Sequence, residues 1–210
     1  MSGHISDAVI RRLPGYYRQL RLLEKEGVER ISSQELAQQM NLTASQIRQD
    51  INCFGGFGQQ GYGYRVQELK EHIGAIMGLD ERHRMILIGA GNIGHAVANY
   101  PTFQAEGFIT VGVFDVRPEA IGRNVAGCVV MGMDGLEEFI RDNDVTLAVL
   151  AVPGDAAQAV CDRVTSAGVR GVWNFAPVNL SVPNGVSAVT VHLTDSLQIL
   201  SYRMKHSEDK

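Results

Sequence analysis

The sequence predicts an α/β protein in two parts: an N-terminal winged helix-turn-helix domain, then a Rossmann-like doubly wound parallel sheet closed by a C-terminal helix. Three observations carry the two-part reading. Two short helical patterns, each with its own capping signal, lie about three residues apart around Leu42. A glycine- and tyrosine-rich stretch follows them. Beyond Glu81 apolar strands alternate with helical patterns around a GxGxxG turn, the sign of a parallel sheet.

The chain opens on a long helical pattern in which Val9, Leu13, Tyr16, Leu20 and Leu23 recur at the 3.6-residue period. Pro14 inside it predicts a kink or a fresh helix start, and Gly27 predicts its close. Ser32 and Glu35 form a capping box for a short helix that turns Leu36, Ala37 and Met40 inward. Asn41-Leu42 is a turn, and Thr43 to Gln46 reads as a second capping box. The helix it starts buries Ile47, Ile51 and Phe54 and shows Ser45, Gln46, Arg48, Gln49 and Asn52 on its other face. Those side chains can donate to or accept from base edges in a major groove.

Residues 55–66 hold five glycines among Phe57, Tyr62 and Tyr64, so they cannot be helix. Tyr62, Tyr64 and Val66 alternate as in a strand. A β-hairpin wing is expected, with Arg65 reaching a phosphate or the minor groove. The candidate DNA-facing set is Arg12, Ser45, Gln46, Arg48, Gln49, Gly61, Tyr62 and Arg65. A further helix carries Leu69, Ile73, Ile76 and Met77, and the domain boundary is placed at Asp80.

In the second part Met85–Ile88 reads as a buried strand, followed at once by Gly89-Ala-Gly-Asn-Ile-Gly94 and a helix to about Tyr100. A strand is expected over 108–114, ending at Asp115, and a short helix over 134–142. A strand over 146–152, a helix over 155–167, strands over 171–175 and 186–191, and a terminal helix over 194–204 complete the pattern. The expected domains are 1–80, 81–192 and a C-terminal segment 193–210.

The glycine motif is weak alone, but here a strand precedes it, a helix follows it, and an acidic residue ends the next strand. Gly89 suits a tight turn, Gly91 a close approach of backbone to a pyrophosphate, and Gly94 close packing of helix on sheet. Ala90, Asn92 and Ile93 complete the loop and the amide-rich start of the helix. Asp115 can accept from the adenosine ribose hydroxyls, and its charge favours NAD over NADP; Arg117 nearby weakens that preference. The nicotinamide end is expected at Val152-Pro153 and Asn174-Phe175-Ala176-Pro177, beyond the later strands. These residues are mostly apolar. Such a pocket penalises the positively charged oxidised ring, so NADH is preferred through desolvation alone.

The overall net charge of −4 does not announce a nucleic-acid binder, so the case for DNA rests on where the arginines sit. Cys53, Cys128 and Cys161 are widely spaced without a CxxC, which argues against a disulfide framework or a zinc site. No metal site is expected. No apolar run reaches membrane-spanning length, and the N-terminus lacks a signal-peptide pattern, so a cytoplasmic protein is expected. A dehydrogenase would need a second substrate site and a proton-transfer residue; no catalytic residue is assigned, and His95 reads as a helix-face residue. An NAD-dependent oxidoreductase, or a Rossmann domain for another nucleotide such as coenzyme A, are the rival readings.

Taken together, Arg12–Arg18, Arg30–Ser33, Gln46–Asp50, Phe54–Gly58, Gly61–Tyr64, Gly89–Gly94, Phe114-Asp115, Trp173–Pro177 and Leu197–Tyr202 resemble the Rex family of redox-sensing transcriptional repressors over nearly the whole chain. The resemblance implies a homodimer whose C-terminal helix crosses to its partner. It implies binding to palindromic operator double-stranded DNA when free or NAD+-bound, and release by NADH. It further implies that Arg18 and Tyr100 help report cofactor state. An acidic residue that pairs with the equivalent of Arg18 in some members is replaced here by His192, so that ion pair cannot be the same.

Overall fold

The computed structural model describes residues 5–55 and 62–206. The chain divides into two compact units, Met1–Glu81 and Arg82–Lys210.

The first unit is built on α1 (Asp7–Lys25), α2 (Ser33–Met40), α3 (Ala44–Asn52) and α4 (Val66–Ile76). Helix α1 runs through Pro14 as one element of 19 residues, so the expected fresh start does not occur. Pro14 and Ile10, whose carbonyl loses its helical partner, both lie on the exposed side, where water can replace the missing bond. Its period places Leu13, Tyr16 and Leu20 against Leu36 of α2, Ile47 and Ile51 of α3, and Leu69 and Ile73 of α4 in one core. The Ser32–Glu35 capping box forms in both directions. Asn41 takes the left-handed conformation at φ 53°, which turns the chain sharply into α3. Thr43 caps α3 by accepting from the Gln46 N–H at 3.1 Å.

The expected wing differs from its reading. Strand β2 (Tyr64–Arg65) pairs antiparallel with β1 (Arg30–Ile31), ahead of α2 in the chain, with Ile31 opposite Tyr64. Val66 does not continue the strand; it is buried and opens α4, its N–H bonded to the Glu29 carbonyl. Gly63 is required where the two strands meet: at φ +69° a Cβ there would stand 2.6 Å from the Ile31 carbonyl oxygen. Gly61 and the rest of the glycine run at 56–61 lie outside the described residues.

The second unit holds β3 (His83–Ile88), α5 (Asn92–Ala98), α6 (Thr102–Ala105), β4 (Phe108–Phe114), β5 (Asn124–Val125), β6 (Cys128–Met131), α7 (Leu136–Asp142), β7 (Leu147–Leu150), α8 (Gly154–Ser166), β8 (Gly171–Asn174), β9 (Ser187–Thr190) and α9 (Leu193–Lys205). The sheet order is β5-β6-β4-β3-β7-β8-β9. Its six parallel strands follow the 3-2-1-4-5-6 order of a doubly wound dinucleotide fold; β5 is an antiparallel edge. The sheet is covered on both faces. Ile86 and Ile88 of β3 join Leu136, Ile140, Cys161 and Val164 on one side. Met85 and Leu87 join Val113, Val149 and the flanking Val97 and Phe103 on the other. This alternation is what one buried strand between two helical layers produces.

The β5–β6 hairpin was not expected from the sequence. The short helix α6 was not expected either; the other strands and helices of this unit fall within a few residues of their expected positions. Helix α9 contributes no buried residue.

Candidate functional site

Register brings one set of residues to one edge of the sheet. Ile88 lies beside both Phe114 and Leu150, and Leu150 beside Asn174. The residues that follow, Gly89, Asp115, Ala151 and Phe175, therefore leave neighbouring carboxyl ends together. The backbone ties them: the Gly89 N–H donates to Phe114, Ala151 to Ile88 and Phe175 to Leu150, each at 2.8 Å. In doubly wound sheets this is the edge that holds ligands.

The three glycines are needed for three different reasons. Gly89 adopts φ +99°, and a Cβ there would lie 2.3 Å from the Ala151 carbonyl oxygen. A Cβ on Gly94 would lie 2.0 Å from the Gly89 carbonyl oxygen, because α5 packs directly on the turn. Gly91 has an ordinary φ of −84°, and its Cβ would meet no protein atom within 4 Å. The fold itself requires the first and third glycines. The second keeps a surface bare, which fits a ligand backbone lying against it. Ala90, Gly91, Asn92, His95, Arg117 and Arg123 line a cleft of about 220 Å³ beside it; Ile93 is exposed on α5.

Asp115 stands at the end of β4 and is 5% exposed. It accepts from the Ala90 N–H at 2.7 Å, from its neighbour Arg117's N–H at 2.8 Å, and from the Arg117 guanidinium at 2.8 and 3.1 Å. The guanidinium bonds, joined by the two backbone donors, outweigh desolvation and hold the carboxyl at a pKa of about 2. Asp115 is therefore ionised at neutral pH.

At the other end, Val152 and Phe175 are half-buried, Ala176 is buried, and Pro153 and Pro177 are exposed. A Cβ on Gly154 would touch the Val178 and Pro177 side chains at 3.0 and 3.8 Å, so the two loops run side by side. Asn174 is placed here too, but its buried amide is committed to the loop. It donates to the Ala176 and Val178 carbonyls and Thr190 Oγ1 and accepts from the Ala176 N–H. Its part is to shape the apolar wall rather than to offer a free donor. Rings continue away from that wall: Phe175 meets Trp173 at 4.6 Å, Trp173 meets Phe103 at 5.6 Å, and Phe103 meets Tyr100 at 4.8 Å. Tyr100 itself lies past the end of α5, between it and α6, and is exposed.

In the first unit Ser45, Arg48 and Gln49 share the exposed face of α3. Arg48 Nη1 donates to Ser33 Oγ at the start of α2 at 2.9 Å. Two members of the expected DNA-facing set are engaged inside the domain instead. Arg12 donates from Nε and Nη2 to Asp50 at 2.6 and 2.9 Å, and Gln46 Nε2 donates to the same carboxylate at 2.8 Å. The Gln46 side chain consequently does not close the expected second capping box. Asp50, 1% exposed, also accepts from the Tyr16 hydroxyl at 2.6 Å. Burial pushes its carboxyl up, but the bonds from Arg12, Tyr16 and Gln46 prevail and hold it below the usual range. Sequence reading missed Asp50, although it sits between Ile47 and Ile51 on the apolar stripe of α3. Tyr62 is exposed, and Arg65 pairs with Glu68 at 2.8 Å on the surface. Arg18 on α1 and His192 before α9 are exposed.

Among the described residues no cluster of three metal-ligating side chains occurs, and no helix is long and apolar enough to cross a membrane.

A family model described as "Putative DNA-binding protein N-terminus" matches residues 4–52, and one described as "CoA binding domain" matches 80–178. The redox-sensing transcriptional repressor Rex of Clostridioides difficile (strain 630) is 51% identical over 205 residues, 98% of each chain. That of Caldanaerobacter subterraneus subsp. tengcongensis is 50% identical over 204 residues, 97% of this chain and 91% of the relative. This chain belongs to the Rex family. The Rex-family repressor RSP, solved with β-NAD+ and operator DNA, superposes at a TM-score of 0.92 with 48% identity, covering 98% of this chain and 95% of RSP. RSP solved with β-NADH gives 0.91 and 46%, covering 98% and 97%. As a Rex the chain is a regulator rather than an enzyme, despite its dehydrogenase-like sheet.

Proposed function

We propose that this Rex-family chain is a cytoplasmic, homodimeric repressor that binds palindromic operator DNA when free or NAD+-bound and is released by NADH. The observation that carries the reading is the pairing of two surfaces in one chain. One is a bare Gly91 face beside an ionised Asp115; the other is an exposed Ser45–Arg48–Gln49 face on the second helix of a helix-turn-helix.

Gly89–Gly94 would hold the pyrophosphate, Asp115 the adenosine ribose, and Val152, Pro153, Phe175, Ala176 and Pro177 the nicotinamide. When bound, the dinucleotide supplies a ring that is neutral only in the reduced form. The apolar wall excludes water from that ring and so disfavours its cationic form. Ser45, Arg48 and Gln49 would read base edges, while Tyr62, Arg65 and Gly61 would meet the backbone beside them. Arg12 and Gln46 would act by fixing α3 through Asp50. Arg18, Tyr100 and His192 would pass the cofactor state to the dimer, whose two reading helices must match successive grooves. A ~100-fold difference in NADH affinity between the DNA-competent and released states would shift that balance by ~2.7 kcal/mol.

Two variants test the division of labour. Arg48→Ala is expected to weaken operator binding by about ten-fold or more at matched salt while NADH binding is kept. Asp115→Ala is expected to weaken NADH binding and keep free-state DNA binding. An Arg48→Ala protein with unchanged operator affinity would refute the placement of the reading helix.

A further inference from the structure

Asp115 is the residue through which the proposed site would hold the adenosine ribose, yet the protein already satisfies its carboxylate. Oδ2 accepts from the Ala90 N–H and from Arg117 Nη2; Oδ1 accepts from the Arg117 N–H and from Arg117 Nε. A carboxylate offers about four acceptor positions. A ribose hydroxyl can therefore donate to Asp115 only by displacing one of these four donors.

The donors are not equally replaceable. The Ala90 N–H belongs to the glycine turn, whose path is fixed by Gly89 and by the packing of Gly94 on it. The Arg117 N–H is main chain two residues past Asp115. The guanidinium is different: its side chain is 48% exposed, against 4% for Asp115, so water can replace its bonds at small cost. Arg117 also lines the cleft that contains Gly91, Asn92 and His95.

We infer that Arg117 is a latch on the adenosine end: its guanidinium closes Asp115 in the free protein and competes with the ribose hydroxyls for it. The inference rests on the dinucleotide reading above. Because the adenosine end is chemically the same in NAD+ and NADH, the latch sets affinity for both alike and takes no part in choosing between them. Arg117 is thus a residue that tunes the sensor's working range, acting through Asp115, while redox choice belongs to the apolar wall at the other end of the site.

The test is calorimetric titration of the full chain with NADH, NAD+ and ADP-ribose at one ionic strength, for wild type, Arg117→Ala and Arg117→Lys. Removing an exposed competitor should tighten all three ligands by a common factor, about two- to five-fold. The NADH-to-NAD+ affinity ratio should stay at its wild-type value. Lysine keeps the charge but loses the two-pronged donor, so it should fall between wild type and alanine. In the Asp115→Asn background the arginine has no carboxylate to compete for, and Arg117→Ala should no longer tighten binding. Unchanged or weaker binding in Arg117→Ala, with wild type binding normally, would overturn the latch and leave the dinucleotide site standing. A changed redox ratio would also overturn it. Wild-type protein that bound none of the three ligands would remove the site and the latch together.

Discussion

Arg12 and Asp50 join α1 to α3 through a partly buried, two-pronged ion pair. Nε and Nη2 of Arg12 reach the two carboxylate oxygens at 2.6 and 2.9 Å, across a sequence separation of 38. Tyr16 and Gln46 complete the carboxylate's shell. A buried charge with this many donors is strongly oriented, so α3 is held at a set angle and rotation on α1. That angle is what presents Arg48 and Gln49 outward.

Removing the carboxylate leaves Arg12 and Tyr16 without their common acceptor. Asp50→Ala is expected to destabilise the first unit by about 2–4 kcal/mol, measured by denaturant unfolding. Tyr16→Phe removes one donor only and should cost about 1 kcal/mol. Operator affinity should fall in both, while NADH titrations stay at wild type.

The glycine turn offers a sharper separation of folding from binding. A Cβ on Gly94 collides with the Gly89 carbonyl, so Gly94→Ala should lower stability and binding together. Gly91→Ala meets nothing in the protein and has a compatible φ. It should melt like wild type yet bind NADH about ten-fold more weakly, because the methyl occupies the face against the pyrophosphate. Equal NADH affinity in Gly91→Ala would show that the pyrophosphate lies elsewhere.

Acid should act on Asp115. Its carboxyl titrates at about 2 in the folded chain against an ordinary 3.8. A depressed folded value means that its contribution is complete above about pH 4 and is lost as pH falls towards 2. Thermal melts of wild type should therefore drop over that window, with Asp50 adding to the loss in the same direction. In Asp115→Asn the drop should be shallower.

Helix α9 is the least buried element of the second unit. Leu193, Leu197, Leu200, Tyr202 and Met204 are each at least half exposed. An amphipathic helix left so bare fits a partner surface, as the proposed homodimer requires. Leu197→Asp combined with Leu200→Asp should halve the mass seen by sedimentation and weaken operator binding.

Legibility followed distance along the chain. Gly89, Gly91, Gly94 and Asp115 could be read because a turn, a helix start and a strand end have fixed local spacing. Helices α2 and α3 could be read because Ser32, Glu35 and Thr43 act within three residues. The β5–β6 hairpin could not: its turn is Ala126-Gly127, with Ala126 at φ 51°, and alanine gives no turn signal of the Asn-Gly kind. Strand β1 is two residues long, too short to show alternation. The commitment of Arg12 to Asp50 depends on α1 folding against α3, which no local pattern encodes, whereas the Gln46–Asp50 bond is an i,i+4 pair within α3. The internal role of Asn174 depends likewise on Thr190, 16 residues away.

The most direct measurement is fluorescence anisotropy of a labelled palindromic operator bound to the chain, titrated in parallel with NADH and NAD+ at one salt concentration. The account predicts that NADH releases the DNA at far lower concentration than any effect of NAD+. Equal release by both forms, or retention of the complex in saturating NADH, would contradict it.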